Sequence, residues 1–205
     1  MTARDPVYGD VAAIMQQSLA AHRAALDDLG DAHLAALDRL AGDILAAWEE
    51  GGKLLVCGNG GSAADSQHLA AELAGRYLHD RPGWPALALT TDTSALTAIS
   101  NDYGFEHVFA RQVEALGRPG DVLLVISTSG NSGNCVAAVE AARAGGLRTH
   151  GLLGGDGGAL RDLVDSPLVA PGAITPRIQE MHLLLIHALC EILEARRLPE
   201  EGPHA

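Results

Sequence analysis

The chain has 205 residues, 47% hydrophobic and 20% charged, enough to bury a substantial core, which excludes global disorder. Its 14 Lys and Arg against 26 Asp and Glu give a net charge of −12, and no local basic patch offsets that field, so nucleic-acid binding is excluded from the reading. Three cysteines (Cys57, Cys135 and Cys190) with no C-x-x-C pair argue against a disulfide framework. The absence of an apolar leader, or of any run of eighteen apolar residues, predicts no membrane segment and a cytoplasmic setting.

From Val11 to Leu29, apolar Val11, Ile14, Leu19, Leu26 and Leu29 alternate with polar residues, predicting an amphipathic helix. After Gly30 and Asp31, which supply a stop and an N-cap, Leu34, Leu37, Ala41, Ile44 and Trp48 repeat at steps of three or four and predict a second. The period then changes. Lys53–Cys57 is a short apolar run that ends in the loop Gly58-Asn59-Gly60-Gly61-Ser62 and leads into a predicted helix over Ala63–Gly75. The same grammar returns with the strand Asp121–Ile126, the loop Ser127–Ser132 and a helix near Cys135–Ala144. Shorter strands are predicted at Ala86–Leu89, Thr149–Leu153 and Leu168–Ala170. A final helix is predicted from Pro176 to Arg196, followed by an acidic tail. Alternating strands and helices predict an α/β fold with a parallel sheet covered on both faces, whose ligand site lies beyond the carboxyl ends of the strands.

Both candidate loops leave such ends. Gly58-Asn59-Gly60-Gly61-Ser62-Ala63 fits G-x-G-x-x-A, but Asp80, at the spacing of a ribose-binding acid, stands in a loop rather than at a strand end, and no G-x-x-x-x-G-K-[ST] loop exists. Ser127-Thr128-Ser129-Gly130-Asn131-Ser132 places four hydroxyls at the head of a helix, beside free N–H groups and the positive dipole end. A helix cap needs one hydroxyl, so four point to a phosphate monoester held without lysine.

His68 and Glu72, at i and i+4, share one helix face, a spacing that serves metal chelation or acid–base work. The final helix embeds Gln179, Glu180, His182 and His187 among apolar residues, and buried polar groups need partners. Gln179 and His187 stand about 12 Å and about 80° apart on a straight helix, too far to hold one ion together. Either that helix starts later, or the two residues serve different copies of the site; Gln179 with His182 is the local pair. Asn101-Asp102-Tyr103-Gly104 reads as a polar loop or turn able to contact a polyol. His22, His33, His79, His107, His150 and His204 read as surface residues, and Arg76 and Arg177 as phosphate contacts or solvated ion-pair partners.

The blocks CGNGGSAADSQHLAAELAGRY, LTTDTSALTAISNDYGFEHVFARQVEALGRPGDVL, ISTSGNSGN and RIQEMHLLLIHALCE together resemble the sedoheptulose-7-phosphate isomerases (phosphoheptose isomerases) of the sugar-isomerase (SIS) domain class. The resemblance runs from about Gly51 to Glu194 and keeps the family's order. It implies a flavodoxin-like αβα sandwich in one domain over 1–205: N-terminal helices at about 7–50, an α/β core with its C-terminal helix at 51–196, and a flexible tail at 197–205. It also implies a homotetramer with helical contacts at its centre and active sites at subunit interfaces.

On that resemblance, the sugar-binding residues fall on Asn59, Gly60, Gly61, Asn101 and Asp102, and the phosphate loop on Ser127, Thr128, Ser129 and Ser132. One zinc per subunit falls to His68, Glu72, Gln179 and His187, with Glu72 and Gln179 also touching substrate. Glu72 and His187 are the implied acid–base pair of an aldose–ketose isomerisation through an enediol. A carboxylate tightly bound to zinc is a poor base, so Glu72 does not hold both roles at one moment. Pro176 and the segment Ala170–Thr175 depart from the family's pattern. The competing expectations are an isomerase of another phosphosugar and a non-catalytic SIS-domain scaffold of the replication-initiator-associated type.

Overall fold

A computed structural model describes residues 10–198 of the chain. Helices α1 (Val11–Asp27) and α2 (Asp31–Glu49) lead into β1 (Leu54–Gly58) and α3 (Gly61–Ala74). Then come β2 (Ala86–Ala88), α4 (Thr93–Tyr103), a 3₁₀ turn at Phe105–His107, α5 (Ala110–Leu116), β3 (Val122–Ser127) and α6 (Gly133–Ala144). Next are β4 (Arg148–Leu153), α7 (Gly158–Leu163), β5 (Ser166–Val169) and α8 (Thr175–Arg197). All five strands pair in parallel, in the order β2-β1-β3-β4-β5. That is the doubly wound, flavodoxin-like order, whose switch point lies between β1 and β3.

Every residue of β1 and β3 is buried, as parallel strands covered on both faces must be. Alternate residues serve opposite layers. Leu54, Val56, Val122, Leu124 and Ile126 join the core under α2, α3 and α8, whereas Leu55, Cys57, Leu123 and Val125 join the core under α5 and α6. Gly58 closes the strand because a Cβ there would lie 2.7 Å from the Ile126 carbonyl and 2.8 Å from Ser62. Only a glycine lets β1, β3 and the head of α3 meet so closely.

The predicted helices and strands are present with small shifts at their ends, β5 covering Ser166–Val169 rather than Leu168–Ala170. One expectation is corrected. Asn101, Asp102 and Tyr103 are not a loop but the last turn of α4, which Asp92 starts by accepting the Ala95 N–H at 2.9 Å and Gly104 ends at φ +92°. Helices α5 and α7 were not foreseen; each has seven residues or fewer, too short to display a period.

The expectation of surface histidines is also partly corrected. His150 is buried on β4 and bonded to Asp43 at 2.9 Å, while His22 and His79 pair with Glu180 and Glu194. Arg177 binds Glu180 at 2.6 Å and the Ser18 carbonyl at 2.8 Å, so it fastens α1 to α8 rather than facing a phosphate. The acidic tail at 199–205, with His204, and the first residues of the predicted N-terminal segment lie outside the described residues.

Candidate active site

The glycine and serine loops stand side by side because β1 and β3 are neighbours in register, Gly58 opposite Ile126. Two amides join them. Asn59 donates Nδ2–H to Asn134 Oδ1 at 2.8 Å, and Asn134 returns the same bond to Asn59 Oδ1 at 2.8 Å. Asn134 is buried in the first turn of α6, and its sequence signal was only its place at the end of the serine block. This reciprocal pair uses one donor and one acceptor of Asn59, leaving the other lone pair and a second N–H, which leans on Cys135 Sγ at 3.9 Å.

In the serine loop, Ser127 Oγ stands 3.2 Å from Ser132 Oγ and accepts the Gly130 N–H at 3.1 Å, while Ser129 Oγ accepts the Asn131 N–H at 3.2 Å. Ser132 occupies the N-cap of α6 without making a side-chain cap bond, so its hydroxyl is not committed to the helix. Thr128 is half-buried and Ser129 exposed. Hydroxyls and the head of α6 lie together here, an arrangement whose chemistry suits an anion.

A second group forms farther along α3. His68 and His187 bring their Nε2 atoms to 2.9 Å across the α3–α8 interface, and Glu72 stands 3.7 Å from His68 Nε2. The Tyr77 ring stacks on His187 with centroids 5.8 Å apart and planes at 28°, and its hydroxyl donates to Glu191 at 3.3 Å. Burial, with the Glu191 carboxylate adding, pushes the Tyr77 phenol up. Asp65, one turn before His68, has a buried Oδ2 with no hydrogen-bond partner among the described residues; burial raises its carboxyl while the charge of His68 draws it down. Neither Tyr77 nor Asp65 was singled out from the sequence; Asp65 carried a signal in its i, i+3 spacing to His68. Burial, helped by Glu72 and Glu194, pushes the Cys190 thiol up to about 12, which excludes it as a nucleophile at neutral pH.

Gln179 does not join this group. Its amide lies against Gly61 at the head of α3, in the glycine loop's company. Helix α8 is continuous from Thr175 to Arg197, so a later helix start does not bring Gln179 to His187. Asn101 and Asp102 are exposed, and Asn101 Nδ2 donates to Asp102 Oδ1 at 2.8 Å; neither bonds another predicted site residue among the described ones.

Two nitrogens bound to one tetrahedral zinc stand about 3.3 Å apart, so the His68–His187 spacing is within a few tenths of an ångström of what a shared ion requires. Imidazole and carboxylate donors from His68, His187 and Glu72 suit zinc in type. No three His, Cys, Asp or Glu side chains among the described residues are drawn close enough to complete a metal site within one chain. Within one chain, His68 and His187 face each other and Glu72 stands beside His68.

The family model for the SIS domain matches residues 17–154. The phosphoheptose isomerase of Roseiflexus sp. (strain RS-1) is 59% identical over 162 residues, covering 79% of this chain and 82% of that protein. Among solved structures, the phosphoheptose isomerase from Neisseria gonorrhoeae shares 48% identity at a TM-score of 0.80, covering 90% of this chain and 97% of the other. The one from Francisella tularensis shares 39% identity at a TM-score of 0.82, covering 90% and 96%.

Proposed function

The chain belongs to the phosphoheptose isomerases of the SIS-domain class, and from that premise we propose that it interconverts sedoheptulose 7-phosphate and D-glycero-D-manno-heptose 7-phosphate. The single observation that carries the reading is the convergence of His68, Glu72 and His187 in a chain whose strand ends also carry a lysine-free hydroxyl loop. The phosphate sits on Ser127, Thr128, Ser129, Ser132 and the N–H groups at the head of α6. The sugar meets Asn59, Gly60, Gly61, Asn101, Asp102 and Gln179.

Glu72 takes a proton from C1 of the ketose, exchanges it with solvent and delivers a proton to C2, and His187 carries the hydroxyl proton from O1 to O2, so the sugar changes isomer without net gain or loss of atoms. His68, Glu72, Gln179 and His187 would hold one zinc per subunit, which would supply positive charge near the enediolate oxygens, with Glu72 off the metal while it serves as the base. His187 already faces His68 within one chain, and Gln179 lies against Gly61, so the zinc set is completed by Gln179 of another copy.

Helix α1 supports a homotetramer. Val11, Ile14 and Met15 are 78%, 54% and 56% exposed, and Ala25 is its only buried residue, an apolar stripe that a monomer leaves in water. Leu183 and Leu184 on α8 are exposed apolar residues as well. No helix among the described residues is long and apolar enough to cross a membrane. Three unpaired, buried cysteines support a reducing, cytoplasmic setting.

The test is NMR of sedoheptulose 7-phosphate incubated with the protein in deuterium oxide. An aldoheptose phosphate carrying deuterium at C2 is expected. Glu72→Gln is expected to abolish turnover while leaving sugar-phosphate binding intact. A folded protein that leaves the ketose unchanged overturns the reading.

A further inference from the structure

Seven residues beyond His187, Glu194 lies on the same face of α8, two turns and about 10 Å farther on. Its carboxylate is 2% exposed and accepts five hydrogen bonds: the Tyr77, Leu78 and His79 N–H groups at 3.3, 3.1 and 3.2 Å, His79 Nδ1 at 2.9 Å and Arg81 Nε at 3.0 Å. Burial pushes the Glu194 carboxyl up, but the bonds from His79, Arg81, Leu78 and Tyr77 outweigh it and hold it below the ordinary carboxylate value.

Arg81, 1% exposed, reaches the other way. Nη2 donates to the Glu72 carbonyl and Nη1 to the Leu73 carbonyl, both at 2.9 Å, and the guanidinium lies 3.6 Å over the Trp84 ring. It thereby satisfies the Glu72 carbonyl and shares the Leu73 carbonyl with the Trp84 N–H, two acceptors in the last turn of α3 that have no helical partner. One end of this ion pair holds the backbone of Glu72; the other holds the N–H of Tyr77, whose ring lies on His187.

We propose that the buried Arg81–Glu194 pair is the positioning device of the isomerase site, fixing the register of α3 against α8 so that His187, under Tyr77, meets His68 and Glu72. The inference rests on the isomerase reading. Its residues touch neither the sugar loops nor the phosphate loop. A pair holding only the fold would affect binding and turnover together, whereas a positioning pair affects turnover alone.

The test uses the full-length chain with Glu194→Gln, which keeps a carbonyl acceptor for the N–H groups but loses the charge, and Arg81→Lys, which keeps the charge but cannot span two carbonyls. In folded variants kcat falls by about 10- to 100-fold while KM for sedoheptulose 7-phosphate stays within about twofold. In the metal-free protein, the His187 ring-proton resonance loses the upfield shift that the stacked Tyr77 ring gives it. Tyr77→Leu leaves the ion pair intact and reproduces both effects, so the proposal stays testable if the charge variants fail to fold.

Wild-type kcat with an unmoved His187 resonance overturns the proposal, as does a rise in KM that matches the loss in kcat. Should the unaltered protein show no isomerisation, the functional reading fails instead, and the His187 resonance still decides whether the pair sets that ring.

Discussion

His68 and His187 share one proton across 2.9 Å, since one Nε2 must donate and the other accept. A zinc ion held by these two rings would displace that proton and draw on one lone pair from each ring. Chelator treatment is therefore expected to abolish turnover and added zinc to restore it. His187→Ala is expected to weaken zinc binding by at least about tenfold in a competition titration, the loss of a direct ligand exceeding that of an outer-shell partner. Zinc affinity unchanged in His187→Ala removes this residue from the metal set.

The Asn59–Asn134 pair makes a second expectation. Asn134→Leu leaves the Asn59 amide without its partner at the edge of a buried contact, a cost of about 1–3 kcal/mol. The melting temperature falls accordingly. The glycine loop loses its tie to α6, so KM rises more than kcat falls. Steady-state kinetics beside a thermal melt check it; an unchanged KM means the loop is held by its backbone alone.

Two glycines of the site separate strain from displacement. Gly130 sits at φ +64°, and a Cβ there would overlap the backbone carbonyl of Gly157, which cannot move aside cheaply. Gly130→Ala is expected to disrupt the phosphate loop, with a loss of stability above about 2 kcal/mol and of phosphate binding. At Gly61 the clash is with the Gln179 amide, the far end of a flexible side chain. Gly61→Ala is therefore expected to fold nearly as well as the parent while lowering turnover, because Gln179 is pushed away. Urea titration and kinetics on the pair distinguish the two mechanisms.

How much of this was legible in the sequence follows from which signals are local. The runs Lys53–Cys57 and Asp121–Ile126 announced buried strands because both their faces are covered, and the loops that follow announced the site. Asn101 and Asp102 were misread because their polar side chains hide a helix whose apolar residues, Leu96 and Ile99, are only half covered. The helix spacing correctly separated Gln179 from His187, and continuous α8 leaves the two-copy alternative standing. Tyr77, Arg81 and Glu194 were silent, since their meaning lies in contacts more than a hundred residues apart between Glu194 and the 77–81 segment. No period or motif reports such a contact.

Stability should fall in two steps on acidification. Burial pushes the His182 and His150 imidazoles down from 6.5, the latter against the pull of Asp43. His182 donates Nε2–H to the Leu153 carbonyl at 3.0 Å, and its Nδ1 has no partner among the described residues to welcome a proton. As pH falls below about 6.5 the unfolded chain takes protons that the native state refuses. Stability then drops, by at most about 1.4 kcal/mol per pH unit for each histidine, and levels off below the native values. The Glu194 carboxyl works in a lower window. Its native value lies below 4.5, so its contribution is full above 4.5 and is lost as pH falls through the native value. Urea midpoints from about pH 8 down to about pH 3 check both steps. His182→Gln, which keeps a donor for Leu153 without a titrating ring, is expected to flatten the first step and leave the second unchanged. A midpoint that stays level from about pH 7.5 to about pH 5.5 in the parent protein shows that these two rings accept protons in the native state as readily as in the unfolded chain.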